Sequence, residues 1–395
     1  MGGDRDDERT ARWIQLGCFS PVLRLHSTRS DWVAKEPWRL LSSSSPSAGG
    51  PREAATLFLR LRHRLLPYLH SMNLRAAVEG LPLVQPLYWE YQKRDEAYRY
   101  ENSYLFGTEL LVMPITEPAD PKLGLARMKG WLPPGAWVDF FQGTVYGGDR
   151  ELWISRPLAL YPVFAKAGAI IPLDDAAKPT NGAANPEALE VVIVVGADGA
   201  FDLHEEPDED DEAGRPEELE LVTTSISFNQ AKGRVDIRQP SRSPLPRGKR
   251  TRTWRLSFPG WRPEKPRTTV YLENNGSGLA TPRFETVEDG RGVGLKIHNV
   301  PLGAHIIVEL GAAPGFARND ARRRIRAVLD AAQIEYALKE AVWAALGGDG
   351  DEPARLEVVA RLAAVDMSEE LRAAVMEPLV ADEGAQPTCG VADDG

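Results

Sequence analysis

The feature that most constrains this fold is a change in the period of the apolar residues near residue 81. Before that point, Phe58, Leu61, Leu65 and Leu69 recur at the spacing of one face of a helix. After it, short apolar runs of strand length are separated by turn residues such as those at 133–135. The sequence therefore predicts a helical layer followed by a β-rich region.

The first 80 residues predict a helix, a strand and a long second helix. The acidic residues at 4–8 suit the N-terminus of the first helix, and Gly17 can end it. Residues 21–26 alternate like a short strand, on which Arg24 and His26 share a face. A buried strand with a polar pair at its carboxyl end is typical of a parallel α/β barrel at its active site.

The second helix of this layer is predicted to begin at Pro51 and to end by Gly80. Pro67 should kink this helix, because proline has no N–H to donate within a helix.

Two β-domains and a helical end are predicted for the rest of the chain. Residues 174–187 have the Ala, Pro, Asn and Gly content of a linker between the β-domains. Ile325, Val328, Leu329, Ala332 and Tyr336 form one helical stripe beyond them, and the tail after Asp382 is predicted to be disordered. The predicted domains are residues 1–80, 81–173, 174–313 and 314–395.

Composition and charge exclude several functions. A net charge of −10 argues against a nucleic-acid partner, which binds clustered basic residues. No apolar run is long enough to cross a membrane, so a membrane partner is not expected. Cys18 and Cys389 give neither a disulfide framework nor metal-ligand spacing, and this favours a cytoplasmic location without assigning one. The acidic run 205–212 is interpreted as a solvated loop, with a calcium site as the alternative.

Four short motifs near the start of the chain occur together in a fixed order. They are Arg12-Trp13-Ile14-Gln15, Phe19-Ser20-Pro21, Arg24-Leu25-His26 and Glu36-Pro37-Trp38. In this order and spacing they resemble the last βα units of the barrel in glycoside hydrolase family 31, the α-glucosidase and α-xylosidase type. Further matches cover residues 64–69, 106–115, 131–135, 163–172 and 333–336.

The resemblance implies the end of a (β/α)8 barrel followed by two β-sandwich domains and a helical C-terminal tail. It implies a retaining glycosidase acting on an α-glucoside or α-xyloside, with no metal or organic cofactor and with a homo-oligomer possible. Such an enzyme uses one carboxylate as nucleophile and another carboxyl as acid/base. In the family both are Asp residues upstream of the matched region, so this chain is expected to lack them.

The sugar-binding residue that the resemblance carries over is His26, which is expected to hydrogen-bond a hydroxyl of the non-reducing glucosyl unit, with Arg24 beside it. The alternative for His26 is a core histidine satisfied by backbone groups. Asp31 and Glu36 are the acidic residues nearest to this strand end, and they are interpreted as a turn former and a loop anchor rather than as a substitute catalytic pair.

Three hypotheses remain open from the sequence. The first is a fragment of a working α-glucosidase or α-xylosidase. The second is a non-catalytic carbohydrate-binding or scaffolding protein built from the β-domains and the helical tail. The third is a product that never folds, since a lone barrel strand would leave a wide apolar surface exposed.

Overall fold

The computed structural model combines helices with four β-sheets in the residues that it describes. These are residues 4–26, 32, 36–42, 49–176, 184–207, 221–240, 244–245, 249–263, 268–273, 278–288, 290–348 and 353–385. The predicted mixture of helical and β-rich parts is confirmed.

The N-terminal layer is helical. It contains α1 (Asp7–Cys18), a 3₁₀ turn (Pro37–Arg39), α2 (Pro51–Arg64) and α3 (Leu66–Glu79). The Asp6 side chain caps α1 by accepting from the N–H of Arg9 at 2.8 Å. Pro67 lies in the first turn of α3, so the predicted kink is a break into two helices at Leu65. Gly80 ends α3 at a φ of 72°.

The strand predicted over residues 21–26 is wrong for this structure, in which these residues form an irregular segment. A barrel strand is held by hydrogen bonds to a parallel neighbour on each side. Among the described residues the parallel pairing is between two later strands, Ala188–Ile193 and Thr251–Pro259. With no barrel neighbour to pair with, the segment lacks the hydrogen bonds that would make it a strand.

The proximal β-region contains one six-stranded antiparallel sheet and one two-stranded ribbon. The sheet has the order β1-β2-β3-β8-β5-β6 and the ribbon pairs β4 with β7. The strands are β1 (Val84–Pro86), β2 (Tyr104–Phe106), β3 (Leu110–Val112), β4 (Ala126–Leu132), β5 (Ala136–Asp139), β6 (Val145–Gly147), β7 (Arg150–Arg156) and β8 (Val163–Lys166). A 3₁₀ turn (Leu87–Trp89) and the short helix α4 (Asp95–Arg99) follow β1. Trp131, Tyr146 and Phe164 are among the buried side chains that join ribbon and sheet.

The distal β-region contains two further sheets, ordered β17-β18-β14-β10-β9 and β11-β12-β13-β19-β15-β16. The strands are β9 (Ile170–Asp174), β10 (Ala188–Ile193), β11 (Gly199–Glu205), β12 (Val222–Asn229), β13 (Arg234–Arg238), β14 (Thr251–Pro259), β15 (Thr269–Glu273), β16 (Leu279–Ala280), β17 (Phe284–Glu288), β18 (Gly292–Pro301) and β19 (His305–Glu309). Strand β9 lies before the predicted linker yet pairs with β10 beyond it.

The acidic run at 205–212 begins inside this region rather than in a solvated loop. Glu205 ends β11, is buried, and accepts two hydrogen bonds of 2.8 Å from Arg252. Residues 208–212 lie outside the described residues, as does Cys389. The calcium alternative therefore loses Glu205 as a free ligand.

The C-terminal helices are α5 (Ala321–Ala331), α6 (Tyr336–Ala345), α7 (Arg355–Ala363) and α8 (Glu369–Val380). The residues of the predicted single stripe belong to two helices. The chain leaves the helical conformation at Ala332, and α6 begins at Tyr336. Ile325 and Leu329 are buried against Leu123 of the proximal region. The helices thus pack on the proximal β-region and are not an extended tail.

A buried ion network fastens α8 to the proximal region. Arg156 of β7 donates to Glu377 of α8 at 2.6 Å and to Asp139 at 2.7 Å. Tyr146 donates its hydroxyl to Glu377 at 2.7 Å, and the Ser155 N–H donates to the same carboxylate at 2.7 Å. Burial acts to lower the pKa of Arg156, but Glu377 and its other negative neighbours hold that pKa well above its usual value.

The chain after α8 is seated on the edge of β6. The N–H of Gly147 donates to the carbonyl of Ala381 at 2.8 Å. A Cβ added at Gly147 would lie 1.9 Å from the carbonyl oxygen of Glu383, so the close approach requires glycine.

A second buried carboxylate joins the N-terminal layer to the distal region. Glu190 of β10 accepts from Arg291 and from the Ser257 hydroxyl, each at 2.6 Å, and pairs with Arg64 of α2. Burial alone would raise the pKa of Glu190, but Arg291 and Arg64 outweigh it and lower the pKa to about 2.

Replacing Glu377 with Gln should loosen the C-terminal helices, because it leaves Arg156 buried with one carboxylate fewer. We expect a loss of about 3–5 kcal/mol in the free energy of opening α5–α8, measured by hydrogen exchange of their amides. Glu370→Gln is the matched control: its surface pair with Arg127 is worth no more than about 1 kcal/mol. Equal effects of the two substitutions would contradict a fastening role for the network.

Acid should weaken the attachment of α2 to the distal region through Glu190. A lowered folded pKa means that the stabilisation is complete above the unfolded value of 4.5 and is lost as the pH falls towards about 2. The full effect is on the order of 3 kcal/mol. Urea denaturation near neutral pH and near pH ~3 should show a smaller acid loss in Glu190→Gln than in the wild type. Glu187→Gln, at an exposed pair with Lys249, should behave as wild type.

Candidate functional site

The segment with the predicted sugar-binding residues follows α1, and hydrogen bonds fix the backbone at its start. The guanidinium of Arg62 in α2 donates to the carbonyls of Cys18, Ser20 and Pro21 at 3.1, 2.5 and 2.8 Å. The Tyr104 hydroxyl donates to the carbonyl of Phe19 at 2.8 Å. These hydrogen bonds fix the backbone from Cys18 to Pro21.

Phe19 is the centre of a buried aromatic cluster that seats the N-terminal layer. Its ring stacks on Tyr161 with centroids 6.1 Å apart and meets Phe106 edge-on at 5.8 Å. Phe58 of α2 approaches the same ring at 6.5 Å. Helices α1 and α2 thus share one apolar core with the proximal region.

Beyond Pro21 the chain turns outward. Arg24 and His26 are both exposed, and so is Val22 with 80% of its surface accessible. The core-histidine alternative for His26 is therefore wrong in this structure. The two residues are not buried in a sugar pocket either, since their segment is an irregular stretch at the surface.

The two acidic residues considered near this segment do not come together as a described pair. Asp31 lies outside the described residues. Glu36 precedes the 3₁₀ turn at 37–39, and its carboxylate lies 3.5 Å from the guanidinium of Arg39. This local ion pair agrees with the interpretation of Glu36 as a loop anchor.

The loop after this turn is attached to the start of α1. The carboxylate of Asp7 accepts from the N–H of Leu41 at 2.7 Å and from Arg5 at 2.8 Å. The hydrogen bond from Arg5 is the main cause that lowers the pKa of Asp7. Arg5 also donates to the carbonyl of Arg39 at 2.8 Å.

The N-terminal layer exposes large apolar side chains on its outer side. Trp13 of α1 is 55% exposed and Trp38 is 71% exposed. Leu25 and Leu41 are exposed as well. Exposed tryptophans of this size are uncommon on a free protein surface, and a contiguous apolar patch would indicate a contact with another element.

A groove of about 410 Å³ runs between α1 and residues 114–118. Its wall includes Trp13, Arg12 and Tyr161. Arg12 is already paired with Glu8 at 3.3 Å, and burial lowers its pKa. The groove is therefore mainly apolar, with charged side chains such as Asp6, Arg9 and Glu117 also in its wall.

No group of three or more His, Cys, Asp or Glu side chains suited to a metal ion occurs in the described part of the chain. A search of the same residues finds no helix that could span a membrane.

Two family models match consecutive parts of the chain. Residues 1–72 match "Glycosyl hydrolases family 31 TIM-barrel domain". Residues 80–171 match "Glycosyl hydrolase family 31 C-terminal domain". The boundary between the two matches falls where α3 ends at Gly80.

Curated relatives and solved structures point to the same family. Alpha-glucosidase 2 of Bacillus thermoamyloliquefaciens is 28% identical over 64% of this chain and 29% of its own length. The alpha-xylosidase of Saccharolobus solfataricus is 29% identical over 49% of this chain and 25% of its own length. The structure of a Xanthomonas citri alpha-xylosidase aligns over 64% of this chain and 26% of that one, with 28% identity and a TM-score of 0.53.

Residues 1–72 and 80–171 thus match two consecutive domains of glycoside hydrolase family 31, and the matches fit the C-terminal portion of that family's proteins. The chain spans less than a third of the length of the curated relatives it matches. A Flavobacterium johnsoniae dextranase, at 22% identity and a TM-score of 0.59 over 77% of this chain and 37% of that one, shares the fold.

Sequence reasoning missed the residues that fix this site in place. Arg62 and Arg64 lie off the apolar stripe of their helix, which indicates a polar face but not its partners. The alternation of Arg60, Arg62 and Arg64 along one helix was the signal that polar groups could face them. The partners Glu190 and Pro21 could not be found without the fold.

Replacing Arg62 with Met should release the segment that contains His26, because three carbonyls lose their donor. We expect faster proteolytic cleavage after Pro21 and a loss of about 1–3 kcal/mol in the free energy of unfolding. Arg60→Met is the matched control, since Arg60 is exposed on the same helix. Identical cleavage rates in both variants would contradict the anchoring role of Arg62.

Proposed function

We propose that this chain is the C-terminal part of a retaining glycosidase that hydrolyses terminal α-linked glucosyl or xylosyl residues. The observation that carries the proposal is that residues 1–72 match a barrel domain while their described part contains helices and no strand. The remaining barrel strands would come from polypeptide outside residues 1–395.

The exposed face of the N-terminal layer supports this proposal. A (β/α)8 barrel buries the inner sides of its helices on the strands. Trp13, Trp38 and the groove beside α1 are apolar and open to solvent. In the proposed full-length protein, the other strands and helices of the barrel would cover these side chains. Their burial would stabilise the assembly in proportion to the apolar area removed from water.

The chemistry divides between the two parts. Retaining hydrolysis requires two carboxyl groups about 5–5.5 Å apart, one attacking the anomeric carbon and one protonating the leaving oxygen. In this proposal both Asp residues lie upstream of Met1. Residues 22–26 become the closing strand, and His26 at its carboxyl end binds a sugar hydroxyl, with Arg24 on the same face.

The β-regions serve as the support for the closing units of the barrel. Gln15 of α1 donates to the carbonyl of Leu158 at 2.6 Å, and Tyr68 of α3 donates to the carbonyl of Phe106 at 2.7 Å. Arg64 donates to the carbonyl of Asp174 at 3.0 Å. These contacts attach α1, α2 and α3 to the β-regions.

The proposal is tested by the mass and activity of the native protein. An antibody against this chain should detect a polypeptide well above 43.5 kDa, the mass of residues 1–395. The purified chain should not hydrolyse an aryl α-glucoside or α-xyloside. In the native protein, His26→Ala should lower kcat/KM by about tenfold or more, because a sugar hydroxyl loses its partner.

His298→Ala, in the distal region, is the control and should leave kcat/KM unchanged. Turnover by the purified chain that disappears in Glu36→Gln or Asp31→Asn would overturn the proposal. A native protein of 43.5 kDa that binds sugars without turnover would instead favour the non-catalytic role.

A further inference from the structure

A separate cavity of about 180 Å³ lies in the proximal β-region, between the end of α3 and the edge of the six-stranded sheet. On the same measure one water molecule needs roughly 10–15 Å³, so the cavity can hold a ligand of about 12–18 water volumes. The residues that matter for its chemistry are Arg75, Gln85, Glu90, Tyr91, Glu109 and Lys166.

Glu109 is the acceptor at the base of this cavity. It is 5% exposed, and one carboxylate oxygen accepts from the N–H of Ile170 at 3.0 Å. The other oxygen lies 3.9 Å from the ammonium of Lys166, beyond hydrogen-bond length. Burial raises the pKa of Glu109 above its usual value. The carboxyl group thus retains acceptor capacity in a poorly solvated place.

Gln85 and Lys166 supply donors around the same cavity. Gln85 of β1 is 2% exposed, and its side-chain NH₂ group has no hydrogen-bond partner. A buried amide without a partner costs on the order of 1–3 kcal/mol. The ammonium of Lys166 is half-exposed and can turn towards a ligand.

The mixture of charges selects against ions. Glu90 and Glu109 would repel an anion, while Arg75 and Lys166 would repel a cation. A neutral ligand rich in hydroxyl groups satisfies both sets, because each hydroxyl donates one hydrogen bond and accepts others. The side chains of Tyr91 and Trp137 give the cavity an aromatic wall suited to the C–H groups of a sugar ring.

We propose that this cavity binds one neutral pyranose sugar, held by Glu109, Gln85 and Lys166 against Tyr91. The site lies within the proximal β-region and needs no catalytic carboxylate. It is therefore independent of the proposed hydrolytic function, and either proposal can fail without the other.

The test is saturation-transfer NMR and titration calorimetry on the full chain with D-glucose and D-xylose. We expect saturable binding with a millimolar Kd for at least one of them. Lys166→Met, at a half-exposed position, and Gln85→Met, which removes the unpartnered amide, should each raise Kd about fivefold by removing one hydrogen bond. Sodium sulfate and calcium chloride should neither bind the cavity nor displace the sugar.

Lys129→Met is the matched control, because Lys129 pairs with Glu151 on β4 and β7 away from the cavity. It should leave Kd unchanged. The proposal is overturned if no saturable sugar signal appears, if Lys166→Met and Gln85→Met bind as tightly as Lys129→Met, or if sulfate binds in place of the sugar.

Discussion

The aromatic cluster around Phe19 holds the N-terminal helical layer on the β-region, and the rest of the structure depends on that attachment. Phe19, Phe58 and Tyr161 are fully buried and bring together α1, α2 and the loop before β8. Directed contacts then orient the layer: Arg62 fixes the exit of α1, and Arg64 reaches the buried carboxylate of Glu190. Burial of the apolar cluster stabilises the attachment, and the arginine contacts fix the orientation of the layer.

The layer combines packed and exposed side chains. Its helices are packed on and hydrogen-bonded to the β-sheets. Trp13, Trp38 and His26 remain exposed. A folded domain gains little from presenting tryptophans to water, and under the proposed function these residues would contact the rest of the barrel.

The C-terminal helices are likewise stabilised by apolar packing and oriented by a buried ion pair. Their apolar stripe buries Leu123 of the proximal region, while Glu377 places a carboxylate beside Arg156. A buried pair of this kind contributes more to the choice of one docked arrangement than to net stability. The proximal β-region is thus held by the N-terminal layer and by the C-terminal helices together.

Local rules predicted part of this architecture from the sequence. Helix α1 begins at its acidic cap and α3 ends at Gly80, because caps and left-handed glycines act within a few residues. The strand at 21–26 was not obtained, since a barrel strand exists only through parallel neighbours, and the described residues place none beside this segment. The Glu109 cavity and the Arg156 network could not be predicted from the sequence either, because their residues come from distant parts of the chain.

The most direct test of the central claim is an experimental structure of the native polypeptide that contains these residues. The account predicts that residues 22–26 lie as a strand between parallel neighbours, with His26 at their carboxyl rim and Trp13 covered. A structure in which His26 remains on an irregular, solvent-exposed segment with Trp13 open to water would contradict it.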